Sequence, residues 1–325
     1  MGYDIVNGDA DGLCALHMLR LATPAQRTLI TGVKRDVALL ERVPPAPGLD
    51  LLVLDISLDT NHAALRRLLD DGARVQWYDH HSADLAPSHP GLHLVHDGAP
   101  DVCTSVLVDR QQGGRHRPWA VVAAFGDNLA PTARALAAAH GIGSAECATL
   151  AQLGHILNYN AYGETEADLH IAPAALYQAL HVCPRPADFV HGALYQRLEA
   201  GYRDDCARLQ GLAPHWQRHG NSVYLLPAEA WARRASGVLA NRLAASTPGA
   251  SCAVVLTRRD GDYVISVRSA QPATHSASAL CRQFDGGGGR AAAAGVNRLP
   301  AAELARFIAC FDTYFSGTPG HEQAA

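Results

Sequence analysis

No run of about 18 consecutive apolar residues occurs in this 325-residue chain, so no membrane-spanning helix is expected. Charge of one sign is also lacking. The 31 acids and 27 bases leave a net charge of −4, which excludes a broadly basic nucleic-acid coat protein. Contact with phosphates must then come from local arginines or metal ions. The eight cysteines are dispersed and form no C-x-x-C pair, so no structural zinc knuckle is expected. Met1-Gly2-Tyr3-Asp4 offers no basic leader region, so no secretory signal is expected and the thiols are expected to be reduced in a cytoplasmic protein. Methionine (two) and phenylalanine (six) are scarce, whereas histidine is plentiful at 17. At 48% apolar and 18% charged, the composition is that of a globular protein, and the length suggests two domains.

The first half alternates strand and helix. Tyr3 to Val6, Leu51 to Leu54 and Arg74 to Tyr78 read as short buried strands. Leu13 to Leu21, Asn61 to Asp71, Val102 to Gln111 and Pro118 to Phe125 read as helices. Such alternation predicts an α/β fold: a mostly parallel N-terminal sheet flanked by helices over residues 1–185. Residues 186–220 read as a helical linker, and 221–325 as a smaller α/β domain. In that second domain Ser222 to Leu226 is a strand and Trp231 to Ala245 a helix. Cys252 to Thr257 and Asp262 to Arg268 form a hairpin. Ser276 to Phe284 and Glu303 to Phe315 are helices, and the alanines after Gly286 to Gly289 start another. The tail from Ser316 onward is expected to fray.

Acidic residues recur where the strands end, and open parallel sheets bind ligands beyond those ends. Asp9 and Asp11 stand two apart in a glycine-flanked stretch, a spacing that lets two carboxylates reach one ion or a pair if the chain is extended. A helix cap is the simpler alternative for either, and for Asp55, which closes an apolar strand. Asp79-His80-His81 carries more weight, because histidine is the commonest transition-metal ligand and a nearby carboxylate commonly orients it. Asp127 would be a fourth such loop. Together these residues suggest a two-metal hydrolytic site.

Asn7-Gly8-Asp9-Ala10-Asp11-Gly12, Asp55, Asp79-His80-His81 and Asp127 resemble, in order and spacing, the motifs of the DHH phosphoesterase superfamily. Gly287-Gly288-Gly289-Arg290-Ala291-Ala292-Ala293-Ala294-Gly295 resembles the GGGH-x-x-AAG signature of the associated DHHA1 domain, and Ser266-Val267-Arg268-Ser269 the arginine strand before it. The stretch from Ser236 to Leu243 is similar to a helix of the RecJ-type exonucleases, so the resemblance is nearest to the RecJ-like and small-oligonucleotide branch. It implies a Mn²⁺- or Mg²⁺-dependent phosphoesterase with two ions. Asp9, Asp11, Asp55, His80 and Asp127 would be metal ligands, and Asp55 would bridge. His81 would lie beside the substrate phosphate or a metal, and Asp79 would orient the histidines. Asn7, Arg268, Gly287, Gly288, Gly289 and Arg290 would meet the substrate.

Two departures stand out. Many members have a histidine where this chain has Ile5, which cannot bind a metal, and Arg290 replaces the signature histidine. Arginine pairs bidentately with phosphate but cannot transfer a proton. The glycine run would bring backbone amides to a phosphate, with the following helix aiming its N-terminus at it. The expected substrate is a phosphate-containing small molecule or a short single-stranded oligonucleotide, with no membrane partner and room for a homodimer. The alternatives are a pyrophosphate or polyphosphate hydrolase, or a nucleotide-binding protein with a weakened site. Lys34 and Arg35 could meet substrate phosphates but read more simply as a solvated charge pair. The stretch Asn158 to Gly163 reads either as a base-stacking segment or as a tight packed turn.

Overall fold

The computed structural model describes residues 2–316. The expected fraying beyond Ser316 lies outside the described residues. Contacts divide the chain into two units, Met1–Tyr202 and Arg203–Ala325.

The first unit is built on a five-stranded, wholly parallel sheet. Its strands are β1 (Gly2–Val6), β2 (Thr28–Ile30), β3 (Asp50–Leu54), β4 (Arg74–Asp79) and β5 (Leu92–His96), in the order β2-β1-β3-β4-β5. The helices are α1 (Ala10–Ala22), α2 (Leu58–Asp70), α3 (Thr104–Gln111), α4 (Arg117–Gly126), α5 (Ala130–Ala139), α6 (Ser144–Asn160), α7 (Pro173–His181), α8 (Pro186–Val190) and α9 (Ala193–Arg208), the last of which crosses the unit boundary. Alternation along the strands distributes the core to both faces. Val6, Leu52, Leu54 and Tyr78 join the cluster with α1, α3 and α4, whereas Ile5, Leu51, Val53, Val75 and Trp77 pack with α2. Burial on both faces is why Leu51 to Leu54 of β3 reads as a continuous apolar run.

β1 leads through α1 to β2 on one side, and the chain then returns to β3 on the other side of β1. The strand order reverses at that point, which is where open α/β sheets leave a crevice. In register, Val6 pairs with Leu54 and Leu54 with Tyr78, so the carboxyl ends of β1, β3 and β4 lie side by side. α4 and α6 cross closely there. A Cβ on Gly154 would lie 2.1 Å from the Val122 carbonyl oxygen, and one on Gly126 would lie 2.5 Å from the Ala10 Cβ. These glycines bring the end of α4, and with it Asp127, against the start of α1.

The second unit holds β6 (Trp216–Arg218), β7 (Asn221–Leu226), β8 (Cys252–Thr257), β9 (Tyr263–Arg268), β10 (Gly287–Gly289) and β11 (Ala293–Leu299), in the order β10-β11-β9-β8-β7-β6. The β7–β8 pair is parallel and the others are antiparallel. Helices α10 (Ala230–Ser246), α11 (Ala277–Cys281) and α12 (Leu304–Ser316) cover it. Two expectations are corrected. Trp216–Arg218 is a strand rather than part of a helical stretch. The alanines after the glycine run form strand β11, not a helix, and Gly287–Gly289 pairs with it. Ala294 and Val296 are buried against the Phe307 and Phe311 core while Gly295 between them is not, a period-2 pattern that overrides alanine's helix propensity. Among the described residues no helix is long and apolar enough to cross a membrane.

Candidate metal centre

The loop after β1 turns at once into α1. Asp9 caps that helix, its Oδ1 accepting from the amides of Asp11 and Gly12 at 3.0 Å each. Asp11 therefore lies in the first helical turn, and the extended geometry that would aim both carboxylates at one point is absent. Asp11 instead accepts the Thr104 and Ser105 amides at 2.7 Å each, at the N-terminus of α3. The acids thus share one loop but reach different neighbours. Asp127 comes not from a strand end but from the C-terminal cap of α4.

Asp55 follows β3 with φ of 57°, a left-handed conformation unusual for a residue with a Cβ. That turn projects its carboxylate across the end of β4. Its Oδ1 lies 3.4 Å from His80 Nε2 and 4.0 Å from His81 Nδ1, and accepts from Thr104 Oγ1 at 3.3 Å. His80 Nε2 is also 3.9 Å from Asp127 Oδ2. Asp79 Oδ1 and His81 Nδ1 are 2.7 Å apart. Metal-ligating atoms of Asp55, Asp79, His80 and His81 all lie within 4.8 Å of one another. Asp9, Asp55, Asp79 and His80 are buried, while the His81 side chain is 43% exposed.

Crowded acids distort one another's ionisation. Burial, then the charges of Asp9 and Asp11, push the Asp55 carboxyl well above the ordinary range. Burial also raises Asp127, although Lys34 and His80 pull the other way. Asp9 is the exception. Burial works against its charge, but the Lys34 ammonium beside it and the Gly12 amide bring it down to about 2. Burial likewise opposes charge on His81, but the Asp79 carboxylate outweighs it and raises the imidazole. Two buried acceptor atoms, Asn7 Oδ1 and Asp79 Oδ2, have no hydrogen-bond partner. Converging carboxylates, two imidazoles and orphaned oxygens are the donor set that a hard or borderline divalent cation takes.

Lys34 is not a solvated charge. Its ammonium contacts Asp9 Oδ2 and lies 2.9 Å from Asn158 Oδ1. The pairing with a site acid and an amide 124 residues away left no local pattern to read. Thr104 and Ser105, which hold Asp11, were missed for the same reason. The Asn158 to Gly163 stretch is the packed turn: Tyr159 is 1% exposed and bonds His170, and Asn160 bonds the backbone of His170 and Ile171, so Tyr159 has no free face for a base. In the second unit, Arg268 ends β9, donates to Asn241 Oδ1 of α10 at 3.1 Å, and pairs in register with Ala293. Arg290 stands in the β10–β11 turn, its amide bonded to the Ala293 carbonyl, so both arginines occupy the same end of that sheet.

The fold, a five-stranded parallel sheet with acids and histidines at its switch point and a second unit with a mixed sheet, is shared with three solved structures. A RecJ exonuclease bound to manganese superposes with a TM-score of 0.62 at 20% identity, over 98% of this chain and 90% of that one. RecJ from Thermus thermophilus, in complex with Mn²⁺, gives 0.59 at 20% identity over 98% of this chain and 52% of its own, so this chain spans about half of that protein. The pGpG-specific phosphodiesterase PggH from Vibrio cholerae gives 0.53 at 12% identity, over 97% and 99%. No protein-family model matches the sequence, and no curated protein matches it.

Proposed function

We propose that this protein is a Mn²⁺- or Mg²⁺-dependent phosphoesterase that hydrolyses phosphodiester bonds of short oligonucleotides or small nucleotides. The observation that carries this reading is the convergence of Asp9, Asp55, His80, His81 and Asp127 at the switch point of a fold shared with manganese-bound RecJ. Asp9, Asp55, Asp79 and Asp127 meet two imidazoles and a single ammonium there, a donor set that suits divalent cations. Asp9, Asp11, Asp55, His80 and Asp127 would hold them. When bound, such ions polarise the phosphate and lower the pKa of a water.

The chain's own side chains do the rest. Asp79 holds the exposed His81 ring in place and favours its protonated form, so His81 can donate to a phosphate oxygen. Asn7 donates through Nδ2 to the Lys34 carbonyl, which leaves Oδ1 for the site. Residues 221–325 serve as the substrate-binding domain, whose Arg268, Arg290 and Gly287 to Gly289 are groups suited to binding phosphate. Residues 1–185 serve as the catalytic domain and 186–220 as the linker. All eight cysteines are free thiols, which suits a cytoplasmic protein.

The test is a hydrolysis panel with Mn²⁺ on pGpG, short single-stranded DNA and RNA, a cyclic dinucleotide, pyrophosphate and polyphosphate. Dinucleotide or oligonucleotide turnover that Asp55→Ala and His80→Ala abolish is the expected result. Turnover of pyrophosphate alone would move the substrate to phosphoanhydrides. Turnover untouched by both substitutions would refute the site.

A further inference from the structure

Lys34 is the only lysine in the chain, and the other 26 of its 27 Lys and Arg residues are arginines. That one ammonium sits among oxygens. It contacts Asp9 Oδ2, lies 2.9 Å from Asn158 Oδ1 and 3.9 Å from Asp127 Oδ1, and stands 5.7 Å from the centre of the Tyr162 ring. Its backbone is fixed on both sides, its amide donating to the Ala161 carbonyl at 2.9 Å and its own carbonyl accepting from Asn7 Nδ2 at 3.3 Å. The loop presses on the strand end so closely that a Cβ on Gly8 would lie 2.0 Å from the Gly32 carbonyl oxygen. Lys34 is therefore carried into the centre by the fold rather than by a freely moving side chain.

An ammonium is a compact point charge with three donors, whereas a guanidinium is a broad planar fork. Three oxygens converging on one point fit the former and a small metal cation equally well. The opposite half of the centre differs. The Asp55, Asp79, His80 and His81 donor atoms cluster within 4.8 Å, and among the described residues no lysine or arginine forms an ion pair with Asp55 or Asp79.

We propose that Lys34 is a tethered cation occupying the Asp9–Asp127 half of the centre. A first divalent ion enters at Asp55 and His80, and a second reaches Asp9 and Asp127 only by displacing the Lys34 ammonium. This rests on the metal-dependent reading above and deepens it: loading is ordered, and Lys34 sets the affinity for the second ion.

The experiment counts Mn²⁺ alone on the full, metal-stripped chain, by the paramagnetic resonance signal of free ion in a titration. Wild type should bind one ion tightly and a second at least ten-fold more weakly. Lys34→Gln and Lys34→Met should tighten the second ion at least ten-fold, and Lys34→Arg, which keeps the charge, should not. Two ions of equal affinity in wild type, unchanged by Lys34→Gln, would overturn the proposal and leave the phosphoesterase reading standing. No bound Mn²⁺ in wild type or any variant would overturn both. Should Lys34→Gln and Lys34→Met not fold, the wild-type titration decides between one tight ion and two equal ones.

Discussion

Asp11 and Asp55 should respond in opposite directions to neutralisation when no metal is present. Asp11 is 1% exposed and accepts two amides at the start of α3 at 2.7 Å each. Hydrogen bonds to a charged group contribute roughly 1.5–3 kcal/mol apiece, so Asp11→Ala should cost about 3–6 kcal/mol, a large share of a typical domain's stability. Asp55 is the reverse case. Its folded carboxyl lies well above the ordinary value of 3.8 because of burial and of Asp9 and Asp11. An acid raised on folding keeps its proton over a pH range where the unfolded chain has lost it. Stability therefore falls as pH rises from 3.8 toward the raised value, and stays lower at pH 7. Asp55→Asn removes that penalty, keeps an acceptor for Thr104, and suits the positive φ, since asparagine tolerates the left-handed region. It should stabilise the EDTA-stripped protein. The assay is the urea midpoint at pH 7 with unchanged slope. Mn²⁺ should then stabilise wild type more than Asp55→Asn, because a ligand binding only the folded state adds to its stability. A stripped Asp55→Asn protein less stable than wild type, or an Asp11→Ala protein within about 1 kcal/mol of it, would refute the reasoning.

Two further outcomes follow from single partners. Asp79→Asn should lower the His81 pKa, because burial then acts without the opposing carboxylate; an NMR titration of the stripped protein reads the direction. His17 is wholly buried, with Nε2 2.9 Å from the Cys183 carbonyl oxygen and its ring edge-on to Trp119, and burial lowers it to about 4 from 6.5. A base lowered on folding costs stability as pH falls through 6.5 toward 4, where the unfolded chain takes up the proton first. That loss should amount to about 3 kcal/mol and be largely absent in His17→Gln, as urea midpoints at the two pH values would show.

β3 was legible because burial on both faces makes Leu51 to Leu54 a continuous apolar run, and β1 and β4 because each ends in buried apolar or aromatic residues just before the site loop. β2 and β5 were not, being short or half-exposed edge strands with no such run. Helices α5 to α7 were also missed. α5 and α6 are rich in alanine and α7 is short, and neither α5 nor α7 carries a strong apolar stripe. The alanines of β11 misled in the other direction, since local propensity favours helix and only the pairing with β9 and β10 makes them a strand.

By itself the sequence determined which residue types stand at the strand ends: Asp9, Asp55, Asp79, His80 and His81 are each marked by an adjoining apolar run or turn. The tertiary structure decided what each acid faces. Asp9 and Asp11, two residues apart, part company because a helix begins between them, one turning to Lys34 and the other to α3. Asp127 joins the site because Gly126 and Gly154 let α4 approach α1 and α6. Lys34 meets Asn158 across 124 residues of chain. Such meetings are set by packing between distant elements, and spacing along the chain carries no trace of them.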